Sequence, residues 1–508
     1  MRKLIIGFSA CLVVLFLLSP ASLSAAERKR RTAESKSESG PAAAAPIPAD
    51  PSIKVVRPAE GEELTATEGY TFVIGTIPSD QFTVRCNGKL CDVSADGAFI
   101  GYVPIQRQSP PKVINQKTMD AVFAFTATKT DQKLAKTIYA ITPASSSSAQ
   151  PAVEKYPTLR LIEATDNRWV ALENDKQPDG KPLINLGKIV FIPKGCRVPV
   201  KEKRGEMFLY ADLVESGPLW FNEKEFKLVE GAPTALSPPS EYFTSERTWK
   251  ETIYHFQTAT PLPVLCQEAA DRKTLELHFL STPSKGFVFP QPELIWGFDL
   301  ACQDGETTLM VKSAPAVDRK KPLQGVKILI DPGHNPDTGA LGPRGSQEQA
   351  INLLLSKQLS QVLAAEGATV SLTREDTPLE LQQRHAIFHS TAPDIILSIH
   401  LNSVGENEDP RLRWGSQSFY LLPHSQPLAQ AIQRPLLGAV RGHDLSNVQR
   451  NLLVTRYPAT PTVLIESTHI IMPDEEKKLL TPEYREEIAK AISQGVANFL
   501  LGENAGKR

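Results

Sequence analysis

The hydrophobic rhythm of the chain changes near Pro322. Before it, short apolar runs alternate with turn signals. After it, apolar runs of strand length alternate with amphipathic stretches of helix length. In the first regime "YTFVIGT", "FTVRCNG", "GAFIGYVPI" and "DAVFAFTAT" predict a small β-sandwich over residues 52–145. The stretch "GKIVFIPKGCRVPVKEKRGEMFLYADL" alternates apolar and polar positions and bends at glycines. It predicts a small barrel of the Src-homology-3 kind over residues 155–232. Residues 245–313 read as a third β-rich module, and "SSSSAQPA" and "SPPS" mark the junctions.

In the second regime the order is strand "VKILID", helix "EQAINLLLSKQLSQVLAAEG", strand "ATVSLT", helix "LELQQRHAIFHS" and strand "DIILSIH". Strand "SQSFYLL", a helix near 425–440, strand "TVLIES" and a last helix from Pro482 to Leu501 complete it. Alternating units of these lengths predict an α/β sandwich with a mainly parallel sheet over residues 325–502, preceded by the β-rich modules. The run Lys327-Ile328-Leu329-Ile330 does not alternate, as expected of a strand buried on both faces. It ends in Asp331, Pro332, Gly333 and His334, at the carboxyl edge where open α/β sheets place ligands.

The amino terminus follows a third pattern. A basic start, an apolar core from Leu4 to Leu18, a break at Pro20 and small residues at Ser24 and Ala26 predict a secretory signal over residues 1–26. Its apolar run is shorter than the roughly 20 residues a membrane span needs. No later stretch is long enough, so the exported chain is expected in the periplasm or cell envelope with no stable span. Residues 27–51 are charged, then Ala- and Pro-rich, and predict a disordered linker. Its Arg28 to Arg31 cluster reads as a solvated charge run. Over 508 residues the net charge is -1, which gives no reason to expect nucleic-acid binding. Five of the six cysteines lie outside the leader, and an exported compartment permits disulfides. "CNGKLC" is compatible with a Cys86 to Cys91 bridge or with two thiols flanking an Asn-Gly turn. Trp220, Trp296 and Phe298 read as core residues.

Seven of the nine histidines fall in the last domain: His334, His385, His389, His400, His424, His443 and His469. His334 follows the first strand, His400 ends "DIILSIH", and Glu466 ends "TVLIES", so all three leave one edge of one sheet. Glu348 opens the helix that returns to that edge. Two imidazoles and a carboxylate with an open position form the ligand set of many hydrolytic zinc sites, although the same set also holds iron. Glu466 suits the transfer of a proton to a leaving amine. There is no GxSxG elbow and no HExxH pair.

At this point the chain resembles a known family. "LIDPGHNPDTGALGPRGSQEQAINLLL", "VSLTREDTPLELQQR", "DIILSIHLNS" and "PTVLIESTHIIMPDEE", in this order and spacing, are similar to the catalytic domain of the zinc-dependent N-acetylmuramoyl-L-alanine amidases. The resemblance implies that His334, Glu348 and His400 hold one Zn2+ ion and that Glu466 is the catalytic acid/base. The implied substrate is peptidoglycan. The implied reaction is hydrolysis, by zinc-activated water, of the amide between the lactyl group of N-acetylmuramic acid and L-alanine of the stem peptide. It leaves open whether a protein activator takes part.

The chain also departs from the family pattern. Asn335-Pro336 stands where two glycines usually follow the first histidine, Gln349 where a basic residue is usual, and Ser467, Thr468 and His469 follow the glutamate. Asp331 is expected to orient the His334 ring or its loop, or merely to cap the turn. Asn402 and Arg456 are candidates for substrate contact or loop support, Arg384 is expected to brace a loop, and His469 to be exposed or packed. The short segment after His400 leaves no room for the inhibitory helical insertion of some family members. The rival functions are an inactive wall-binding scaffold and a zinc peptidase cutting within the stem.

Overall fold

The computed structural model describes residues 52–65, 69–115, 117–130, 132–142, 153–171, 188–210, 219–231, 237–239, 242–248, 250–280, 282 and 286–503. The leader and linker expected over residues 1–51 lie outside these. No helix among the described residues is long and apolar enough to cross a membrane.

Residues 52–142 form a four-stranded and a five-stranded sheet around one core that includes Ile53, Val73, Phe99, Phe123 and Phe125. Asn87 and Gly88 both take positive φ and join the strands Thr83–Cys86 and Lys89–Leu90, as an Asn-Gly hairpin turn requires. Cys86 and Cys91 on either side of it are buried free thiols, so the turn and not a bridge closes this hairpin.

The next two stretches do not separate where the hydrophobic rhythm divides them. Val153–Ala164 pairs with Arg197–Arg204 and Phe226–Val229, within the stretch expected to be a barrel. The strands Arg168–Ala171 and Lys188–Ile192, however, join Val264–Glu268, Thr274–Phe279 and Phe287–Pro290 in one sheet. A shared sheet therefore crosses the boundary between 155–232 and 245–313. Phe298 is fully buried, Trp296 stacks on Phe499, and Trp220 is half-buried beneath Arg204.

The sheet of the last domain runs in the order Thr369–Leu372, Lys327–Pro332, Ile395–Asn402, Thr462–His469, Gly415–Tyr420, His443–Gln449. Its first four strands are mutually parallel, and Gly415–Tyr420 pairs antiparallel with Thr462–His469. Period 2 sends Ile328, Ile330, Leu397, Ile399, Val463 and Ile465 toward helices α1 (Glu348–Ala365), α3 (Gln426–Val440) and α5 (Pro482–Glu503). It sends Leu329, Ile396 and Leu464 to the other face, against Phe388 of α2 (Leu381–Thr391) and Tyr457. Both faces are covered, which is why these strands do not alternate. The hydrophobic rhythm missed the mostly polar edge strand His443–Gln449 and the short α4 (Pro473–Leu479). Residues 403–414, after His400, contain only turns and irregular backbone.

Candidate active site

The same alternation that buries Leu329, Ile396 and Leu464 under α2 continues two residues further along each strand, and four along Ile395–Asn402. It brings Asp331, Ser398, His400 and Glu466 to one face of the carboxyl edge. His400 and Glu466 are directly paired in register on adjacent parallel strands. His334 lies just past its strand, and Glu348 is the first residue of α1.

These residues converge. Glu348 Oε1 lies 3.0 Å from His334 Nε2 and 3.1 Å from His400 Nδ1, and the two rings meet edge to face at 4.8 Å. The carboxylate is fixed by backbone donors: Leu401 N–H to Oε1 at 3.0 Å and Ala340 N–H to Oε2 at 2.8 Å. Burial alone would raise its pKa, but the two histidines hold it well below the usual carboxylate range. Burial alone would lower that of His334, but Glu348 and then Asp337 carry it up to about 9. His334, Glu348 and His400 each offer one ligand atom within 4.8 Å of the others, a spacing on which one cation can close.

Two glycines make this packing feasible. A Cβ on Gly333 would lie 2.3 Å from the His400 ring, and one on Gly339 would lie 2.5 Å from Glu348 Oε2. His334 and Asn335 both have positive φ, so the chain reverses immediately after the strand. Asn tolerates this left-handed conformation better than other residues with a Cβ, which accounts for Asn335 where the family usually has glycine.

The loop carbonyls at the sheet edge need donors. Two buried guanidiniums supply them. Arg374 donates to Pro332 O and Gly333 O, each at 2.9 Å, and Arg384 to Pro332 O at 3.0 Å and His334 O at 2.6 Å. Asp331 sits beneath, accepting from Thr373, Ser398 and Arg384 at 2.5 to 2.8 Å. It therefore acts on the loop through Arg384 and does not meet the His334 ring. The residue that does is Asp337, whose Oδ1 lies 2.5 Å from His334 Nδ1. Its only sequence signal is an Asp in the turn-forming "NPDTG" after the histidine, and Arg374 gave none beyond its place in the "SLTRED" block.

Glu466 Oε2 is buried and has no hydrogen-bond partner. Burial is the largest influence on it; His400 opposes, Glu348 reinforces, and the carboxyl is pushed up to about 7. Beside His334 and His400 opens a cavity of about 430 Å³ with a mainly apolar wall, including Leu379, Leu381, Leu453 and Leu464. Asn402 is half-buried, its side-chain oxygen accepting from Ser403 N–H. Arg456 is not at this cavity: it bonds Asn451 and lines a different one, with Arg168, Trp169 and His389. His469 is packed, within 3.1 Å of Gly415 O. His385, His389, His424 and His443 lie outside the cluster.

Residues 328–498 match the family model described as N-acetylmuramoyl-L-alanine amidase. Over 193 residues the chain is 32% identical to YqiI of Bacillus subtilis, an uncharacterized protein; the match covers 38% of this chain and 93% of that one. The chain belongs to the N-acetylmuramoyl-L-alanine amidase family. It is also 32% identical over 203 residues to the B. subtilis amidase LytC, covering 38% of this chain and 40% of LytC. With the Escherichia coli amidase AmiA it shares 27% over 217 residues, covering 34% of this chain and 75% of AmiA. The family match thus falls on the α/β domain.

Proposed function

We propose that the α/β domain is an amidase that hydrolyses peptidoglycan at the bond between the lactyl group of N-acetylmuramic acid and L-alanine. In this reading His334, Glu348 and His400 hold one zinc ion, and Glu466 is the acid/base. The observation that carries it is the convergence of two imidazoles on one anchored carboxylate oxygen, with the orphaned Glu466 Oε2 on the neighbouring strand. A buried carboxylate oxygen without a partner is costly unless a water, a substrate or a cation completes it. The donor set fits zinc.

A bound zinc ion would polarise the scissile carbonyl and lower the pKa of water to about 7. The remaining work falls to the chain. Glu466, with a pKa near neutrality, accepts a proton from the attacking water and returns it to the amide nitrogen as the C–N bond breaks. Arg374 and Arg384 keep the His334 loop in place, and the apolar cleft excludes water from one flank of the reacting bond. The leader over residues 1–26 would export the enzyme to the compartment that holds this substrate.

Zinc content separates the two kinds of role. His334→Ala should lose bound zinc, whereas Glu466→Gln should keep it and lose turnover by a factor of about 10²–10⁴. Equal loss of metal in both would show that the roles are misassigned.

A further inference from the structure

The strands Tyr70–Thr76 and Ala98–Pro104 of the N-terminal module are apolar on both faces. One face, with Val73 and Phe99, enters the module's own core. The other, with Phe72, Ile74 and Ile100, packs against Val404 and Met472 of the catalytic domain. Polar contacts beside this patch reach two loops. In the loop between His334 and Glu348, Arg344 donates to Asp96 of the module at 2.5 and 3.1 Å, and to Glu476 and Pro473 O of its own domain. In the loop after His400, Glu406 accepts from Arg57 and from Thr65 N–H and Oγ1 of the module. Tyr102 donates to Asn407 O in that loop at 2.6 Å.

The first loop touches Glu348 directly, and the second continues the strand that carries His400. Ala340, four residues before Arg344, donates the N–H that fixes Glu348 Oε2, and Gly339 stands within a Cβ's reach of that oxygen. The second loop begins at Ser403, three residues past His400. The first loop is held in part by its own domain, since Arg344 N–H and Ser346 N–H donate to Glu476, and the Asp96 contact adds an anchor from the module.

We propose that Arg344 and Glu406 are positioning residues through which the module of residues 52–142 holds the loop that anchors Glu348 and the loop that follows the His400 strand. The module is then a working part of the active site. This rests on the zinc-site reading above. The side chain of Arg344 is mostly buried between Asp96 and the fully buried Glu476, a setting in which a bidentate pair has directional strength.

The test uses the full chain and the double variant Asp96→Ala/Glu406→Ala, with Asp96→Glu as the conservative control. Amide hydrogen exchange is followed at Ala340 and Arg344, and zinc affinity is measured by competition with a chromophoric chelator. The double variant should exchange these amides about tenfold faster and bind zinc about tenfold more weakly, as loss of a supporting shell does. Asp96→Glu should behave like the parent chain. Unchanged exchange and affinity in the double variant would overturn the proposal, whether the module stays docked or comes away. If the parent chain bound no zinc, the metal reading would fall, and the exchange rates would still decide the tether.

Discussion

Two histidine–carboxylate clusters among the described residues have similar contact distances and different meaning. At the edge of the α/β sheet Glu348 Oε1 receives two imidazoles at 3.0 and 3.1 Å, beside an open cavity. At the contact with the β-rich half His424 Nδ1 meets Glu268 Oε2 at 2.7 Å, and both side chains are completely sealed. One carboxylate with one imidazole and no access is a structural tie between strand Val264–Glu268 and the turn Pro423–Ser425. One carboxylate shared by two imidazoles with access to solvent is an arrangement that could hold a metal ion. Burial and hydrogen bonding alone do not distinguish a site from a tie; the number of ligand atoms and the route to them do.

The largest effect that separates the two clusters is on stability. His424→Ala leaves the Glu268 carboxylate sealed without its partner, and should cost about 3–5 kcal/mol. Denaturant unfolding measures it, and zinc affinity should stay at the parent value. A loss below about 1 kcal/mol would mean that the sealed pair ties nothing.

At the open cluster the order reverses. Asp337→Ala removes the partner of His334 Nδ1 and should weaken zinc binding by about 10–100-fold, with little change in unfolding free energy because Asp337 is largely exposed. An unchanged affinity would show that the loop backbone alone orients the ring.

These two clusters also show what the sequence makes legible. Lys327–Pro332, Ile395–Asn402 and Thr462–His469 announce themselves because both faces are covered and the apolar run is unbroken, so the polar groups toward or just past their carboxyl ends, His334, His400 and Glu466, stand out. Asp337 does not stand out. Its contact depends on the left-handed backbone at His334 and Asn335, which hydrophobic periodicity does not encode. The Glu268–His424 tie spans 156 residues and depends on how two domains pack. The sheet that joins Arg168–Ala171 and Lys188–Ile192 to strands beyond residue 263 is invisible for a related reason. Alternation identifies a strand and leaves its distant partner open. The edge strand His443–Gln449 is mostly half-buried or exposed, so it carries no apolar rhythm at all.

A third effect, a pH dependence of stability, belongs to neither cluster. Burial is the main cause that lowers the His469 pKa from 6.5 to about 4; a hydrogen bond to Gly415 opposes it and Arg413 adds to it. The unfolded chain therefore takes up a proton first as pH falls below 6.5, while the folded chain stays neutral at this residue until about 4. Its contribution is flat above that window and destabilising within it, by up to about 1.4 kcal/mol per pH unit. Thermal unfolding of the parent chain and of His469→Gln at pH 7 and pH 5 measures it, and the variant should show the shallower dependence. Equal slopes would mean that burial does not lower the His469 pKa in the fold.

The central claim is that the open cluster is a zinc-dependent amidase centre. The direct measurement is mass analysis of purified peptidoglycan after incubation with the full chain, with a chelator, and with chelator followed by added zinc. The account predicts stem peptides with a free L-alanine amino terminus in the first sample, none in the second, and their return in the third. Intact stems still joined to muramic acid in every sample, or fragments cut only within the stem, would contradict it.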